Sequence, residues 1–162
     1  VASRYTGIFV FDMDGVLADC SHRMYLLKGR PKPDWPGFFA LAGRDAPIAW
    51  GLDLLHTLAS HDLGVTIWTG RSESIRDMTR HWLDRHHVSP SVGLRMRPDG
   101  DRRPGIELKQ TWLQAMPLRP IMAIDDDPAT VEMFRNGGVP CLHVERNFGA
   151  KHQAEGTEGS AA

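Results

Sequence analysis

Only two cysteines, Cys20 and Cys141, occur in the 162 residues. That is too few for a disulfide framework, and the pair is too isolated for a zinc site. Reduced thiols in a cytosol are the simplest expectation. No run approaches the ~20 apolar residues that span a bilayer, and nothing ahead of the first apolar run reads as a signal peptide. An excess of one charge is missing too. Nineteen Lys and Arg stand against 20 Asp and Glu, a formal net charge of −1. No global field therefore draws the chain to nucleic acid or to a membrane surface, and any polyanion contact needs a local basic patch. A G-x-x-x-x-G-K-[ST] phosphate loop is absent, which excludes that kind of kinase half. No internal repeat is visible. What remains is ordinary for a globular protein, 41% hydrophobic and 24% charged. The length suits one domain with a core of its own.

The most informative segment is the apolar run Ile8-Phe9-Val10-Phe11 ending in Asp12-Met13-Asp14-Gly15. It reads as a buried parallel strand that delivers two carboxylates to its carboxyl end, the edge where ligands bind in open α/β sheets. Two anions one residue apart repel unless a cation or a reacting group shares the site. A calcium loop starting at Asp12 is excluded by counting, because Val16, Leu17 and Arg23 stand where Asp or Asn, Gly and Glu are required.

Further strands are expected at Gly64–Thr69, Val92–Met96, Ile121–Asp125 and Val139–Val144, after a first at Gly7–Asp12. Helical spacing recurs at Ile48, Leu52, Leu55 and Ala59, and again at Ile75, Thr79, Trp82 and His86. Asp127-Pro128 opens a helix that Gly137-Gly138 ends. This alternation predicts an α/β fold, a Rossmann-like parallel sheet with helices on both faces. One domain over 1–149 is expected, with a tail at 150–162 too polar and aperiodic to order. Residues 19–47 break the rhythm with Pro31, Pro33, Pro36 and Pro47, and read as a small flap or cap.

Chemistry-bearing residues recur at the strand ends. Trp68-Thr69-Gly70-Arg71-Ser72 offers a hydroxyl and turn amides suited to a phosphate, though Gly70 can serve only the turn and Ser72 only a helix cap. Lys109 falls near a helix start and is either a solvated lysine or an anion ligand. The acids Asp125-Asp126-Asp127 stack like charges at one edge, which a hard cation such as magnesium resolves. The run Arg95-Met96-Arg97-Pro98 to Asp101-Arg102-Arg103 tracks a nucleic acid backbone or is a solvated loop. Trp35, Phe38 and Phe39 stack a base at the site mouth or form the cap's own core. His22 either touches substrate or idles on the surface.

This ordered set resembles the haloacid dehalogenase superfamily of phosphatases. Asp12 and Asp14 match its first motif, Thr69 its second, Lys109 its third, and Asp125-Asp126 its fourth. The resemblance implies that Asp12 is the nucleophile forming an aspartyl-phosphate and Asp14 the general acid/base. It implies Mg2+ held by Asp12, the Asp14 carbonyl and Asp126, with Asp125 beside them, and phosphate oxygens bound by Thr69 and Lys109. Asp12-Met13-Asp14-Gly15 with Arg23, Thr69-Gly70-Arg71, Met78-Thr79-Arg80-His81-Trp82, and Ala123-Ile124-Asp125-Asp126 with Val131-Glu132-Met133 look like the phosphatase domain of phage polynucleotide kinase-phosphatases. Those domains remove 3′-phosphates, and some of them 2′,3′-cyclic phosphates, from nucleic acid ends. By that likeness Arg23, Gly70 and Arg71 bind substrate, whose phosphate an arginine fork suits. Gly105 departs from the pattern, since the family commonly has an acid four positions before the lysine. The rival substrate class is free nucleoside monophosphates. A non-catalytic binding module is the third reading, against which both Asp12 and Asp14 are retained.

Overall fold

The computed structural model describes residues 7–28, 31–61 and 63–145; the expected tail at 150–162 lies outside them. In chain order the strands are β1 (Ile8–Phe11), β2 (Ala18–Asp19), β3 (Ala46–Pro47), β4 (Gly64–Ser72), β5 (Gly93–Arg97), β6 (Met122–Asp125) and β7 (Cys141–His143). The α-helices are α1 (Trp35–Ala40), α2 (Ala49–Ser60), α3 (Arg76–Arg85), α4 (Gly105–Gln114) and α5 (Pro128–Asn136). Five strands form one parallel sheet in the order β5-β4-β1-β6-β7. The expected parallel α/β sheet is therefore present, with every expected strand in it and β1 at its centre.

Neighbouring residues along each strand feed opposite faces, as the strand period of two requires. Phe11, Ile67 and Ile124 join Leu52, Leu55, Trp82 and Leu83 in a core beneath α2 and α3. Val10, Trp68 and Ala123 join Leu108, Trp112, Val131 and Phe134 in a second core beneath α4 and α5. Helices thus cover both faces. Asp127 caps α5, its carboxylate accepting from the Thr130 amide at 3.0 Å, and Pro128 follows at the first helical position.

Between β1 and α2 the chain leaves the sheet and returns. β2 and β3 pair antiparallel, Ala18 with Pro47 and Asp19 with Ala46, as the neck of a small cap. The cap holds two 3-10 turns, Ser21–Leu26 and Ala42–Arg44, and α1 between them. Cys20, Leu26 and Phe38 form its own core, with Met24, Leu27, Phe39 and Leu41 packed around.

The turn after β1 is tight. Gly15 takes φ 93°, a left-handed value that favours glycine. Leu17 and Ala18 amides both donate to the Met13 carbonyl at 2.9 Å. Helix α2 then crosses so closely that a Cβ on Gly51 would lie 2.0 Å from the Val16 carbonyl oxygen. Backbone on both sides leaves no flexible group to yield. Gly51→Ala is expected to cost about 1–3 kcal/mol, the usual range for overpacking, read as a lower urea midpoint at unchanged slope.

Candidate active site

The carboxyl edge of the sheet collects the acids. β1 leads directly into Asp12, 8% exposed, and β6 ends at Asp125 with Asp126 next, 1% and 5% exposed. Met13 is fully buried in the core beneath α2 and α3, so the strand's alternation separates it from the acids flanking it. Burying three carboxylates together is costly unless a cation answers them. Lys109 on α4 supplies one. Its Nζ donates to Asp12 Oδ1 at 2.9 Å and to Asp125 Oδ2 at 2.6 Å. The second Asp125 oxygen accepts from the Asp127 amide at 3.0 Å.

The electrostatics follow from that geometry. Burial pushes the Asp12 carboxyl up to about 7, reinforced by the Asp125 and Asp14 charges and opposed by Lys109. Burial alone would lower the Lys109 ammonium, but the Asp12 and Asp125 charges hold it above its ordinary value. Lysine and nucleophile candidate are thus locked together. Cys141, on β7, is pushed up to about 12, chiefly by burial, with the Asp125 charge adding. It is an inert thiol at neutral pH.

One carboxylate oxygen each from Asp12, Asp125 and Asp126 lies within 4.8 Å of the other two. All three donors are oxygens, the set that a hard divalent cation takes and that zinc or copper does not require. The residues therefore fit magnesium. Asp127, solvent-exposed and engaged in capping α5, stands outside this group.

Asp14 is not one of those three carboxylates, and its side chain is 19% exposed. Two fully buried arginines hold it. Arg23 Nη2 reaches Asp14 Oδ1 at 2.7 Å and Arg71 Nη2 reaches the same oxygen at 2.6 Å. Arg71 Nε adds contacts of 3.2 Å to both Asp14 oxygens. The sequence suggested forks open to a substrate phosphate. The structure instead turns both forks onto Asp14 and onto a second acid, Asp45 (3% exposed).

Asp45 is the residue that the sequence did not reveal. Two buried arginines need two counter-charges, but the burial that creates this need is visible only in the fold. Nothing local distinguished Asp45 from Asp19 or Asp34, because the choice depends on how the cap closes.

The Thr69-Gly70-Arg71 turn continues β4 rather than ending it. Thr69 is 1% exposed, and its hydroxyl accepts from the Arg71 amide at 3.2 Å. The Gly70 carbonyl accepts from Arg97 Nε at 3.0 Å. Ser72 caps the short turn Glu73–Ile75 and donates to Asp99 at 2.5 Å, the capping alternative for that hydroxyl. Arg97 also donates to the Arg103 carbonyl at 2.6 Å, and Arg103 pairs with Asp101 at 2.6 Å. Much of the basic run's charge is spent inside its own loop. Phe38 belongs to the cap core and lies 3.9 Å from Arg23 Cζ, whereas Trp35 is 51% exposed. His22 reaches Asp45 Oδ1 at 2.8 Å, so it is not an idle surface histidine. At Gly105 a Cβ would meet nothing within 4 Å, so no packing demand explains the missing acid.

A family model described as "Polynucleotide kinase PNKP phosphatase domain" matches residues 6–148. The chain belongs to that family. It is accordingly a phosphatase of the haloacid dehalogenase type. Among curated proteins none matches the sequence. A chain of the Pnkp1/Rnl/Hen1 RNA repair complex is similar in fold, with TM-score 0.68 and 22% identity, over 86% of this chain and 43% of that one. The class C acid phosphatase from Bacillus anthracis with tungstate bound gives TM-score 0.63 at 12% identity, over 91% and 70% of the two chains. L-2-haloacid dehalogenase from Xanthobacter autotrophicus gives 0.55 at 15%, over 86% and 78%. This phosphatase spans less than half the length of the repair-complex chain. Among its described residues no helix is long and apolar enough to cross a membrane.

Proposed function

We propose that this phosphatase is a Mg2+-dependent phosphomonoesterase that removes 3′-phosphates from nucleic acid ends through an aspartyl-phosphate on Asp12. The observation that carries the chemistry is the Lys109 ammonium, 2.9 Å from Asp12 and 2.6 Å from Asp125, beside the three clustered carboxylates. The family match supports the substrate class. The small cap, with α1 only six residues long, supports access by a polymer end rather than full enclosure of a mononucleotide.

In the first step Asp12 attacks phosphorus and the ester oxygen leaves, taking a proton from Asp14. In the second, Asp14 takes a proton from a water that attacks the same phosphorus, releasing orthophosphate and the Asp12 carboxylate. Asp14 suits this two-way task because its carboxyl is held by two arginines yet open to solvent on one side. Lys109 orients Asp12 and offsets charge on the phosphoryl oxygens, and Thr69 lines the phosphate-binding turn. Asp12, Asp126 and the Asp14 carbonyl would hold the metal, with Asp125, whose oxygens serve Lys109 and the Asp127 amide, in support. A Mg2+ ion there would supply positive charge to the oxygens of the transferring group.

The test is phosphate release with Mg2+ from a 3′-phosphorylated oligonucleotide. Its 5′-phosphorylated twin, a 2′,3′-cyclic end and nucleoside 3′- and 5′-monophosphates serve as comparisons. Preference for the 3′-end supports end healing. Equal or better rates on mononucleotides make this a nucleotidase instead.

A further inference from the structure

Asp45 sits outside the acid cluster and outside the chemistry above, yet both of its carboxylate oxygens are fully engaged in a buried setting. Its Oδ1 accepts from Arg23 Nε at 2.7 Å and contacts His22 Nε2 at 2.8 Å. Its Oδ2 accepts from Arg23 Nη2 at 2.6 Å and Arg71 Nη2 at 2.7 Å. Its backbone carbonyl accepts from the Trp82 indole at 2.8 Å, which fixes the main chain against α3. The Asp45, Arg23 and Arg71 side chains are all 0% exposed.

Each Nη2 carries two hydrogens. In both arginines one goes to Asp45 Oδ2 and the other to Asp14 Oδ1. The two acids and the two Nη2 atoms therefore form a closed ring, and occupying one hydrogen with Asp45 aims the other at Asp14. Packing does not require this arrangement. The cap has its own apolar core, and buried ion clusters are commonly neutral or worse for stability than apolar replacements of equal volume.

We propose that Asp45 is a positioning residue for the phosphatase reaction, setting the Asp14 carboxylate for proton transfer through Arg23 and Arg71. The proposal rests on the reading of Asp14 as general acid. Asp45 and Arg23 are carried by the cap, Arg71 by β4 and Asp14 by the turn that follows β1. Asp14 is aligned only while the cap is docked.

The experiment compares kcat/KM for two monoesters, because this quantity reports the step in which the leaving group departs. An aryl phosphate with a nitrophenolate leaving group needs no proton. An alkyl phosphate, which leaves as an alkoxide, does. In Asp45→Asn the alkyl ester is expected to fall by about 30-fold or more, a fraction of what general acid catalysis supplies, with the aryl ester within about threefold of wild type. An equal loss on both esters, or no loss on either, overturns the proposal. Asp45→Glu, which keeps the charge and displaces it by one methylene, is read the same way should the Asn variant fail to fold. Wild-type turnover of the aryl ester tests the phosphatase reading itself. Its absence overturns both readings, whereas normal wild-type turnover with non-selective loss in the variants overturns only the role of Asp45.

Discussion

Asp12→Asn is expected to reduce phosphate release by at least about 10³-fold, the scale on which removing a covalent nucleophile acts. At neutral pH the thermal midpoint should hold or rise. The substitution keeps the shape of the side chain, and the Lys109 ammonium retains Asp125 at 2.6 Å. A second signature belongs to the metal-free protein. The Asp12 carboxyl rises from 3.8 to about 7 in the fold because burial disfavours its charge. An acid so raised binds an extra proton in the folded state. Its stabilising contribution is complete below about pH 3.8 and is lost as pH climbs through about 7. Wild type should lose stability across that window and the variant should not, as urea unfolding at stepped pH would show. Undiminished turnover in Asp12→Asn would remove Asp12 from the role of nucleophile.

Lys109→Met should have the largest effect on stability. Methionine keeps most of the aliphatic stem, so little cavity opens and the lost charge dominates. Asp12 and Asp125 would then face each other in a buried site without their shared cation. Breaking a buried pair in this way costs about 3–5 kcal/mol. The loss should be greatest above pH 7 and smaller near pH 5, where Asp12 takes up a proton. Added Mg2+ should restore part of the stability, since it supplies positive charge to the same carboxylates and binds only the folded state. Turnover should fall with or without that rescue. A variant as stable as wild type at pH 8 would mean that Lys109 does not neutralise the cluster.

Much of this was legible in the sequence because buried parallel strands announce themselves. Ile8-Phe9-Val10-Phe11 and the strand ending at Asp125 are apolar on both faces and stop at their acids, so the sheet and its chemical edge follow together. Strand bounds moved by a residue or two. The exception is β4, which runs on to Ser72 because Ser72 pairs with Arg97 of β5 beyond an irregularity after Trp68. The arginines were harder. Sequence shows that Arg23 and Arg71 are present, but not that both turn inward, since that depends on Asp45 arriving from 22 and 26 residues away. Arg97 is similar. It looked like part of a basic surface run, and its Nε is spent on the Gly70 carbonyl.

The ring of two arginines and two acids has a plane of division. Arg23 and Asp45 lie on the cap and are paired at 2.6 Å; Arg71 on β4 and Asp14 in the turn after β1 are paired at 2.6 Å. Separating cap from sheet cuts the Arg23–Asp14 and Arg71–Asp45 contacts, each 2.7 Å, and strands no charge on either side. Each half departs electroneutral. Opening the cap therefore costs the two cross-contacts themselves but leaves no net charge to be solvated on either half, so each fork keeps one acid and loses the second that fixes its direction.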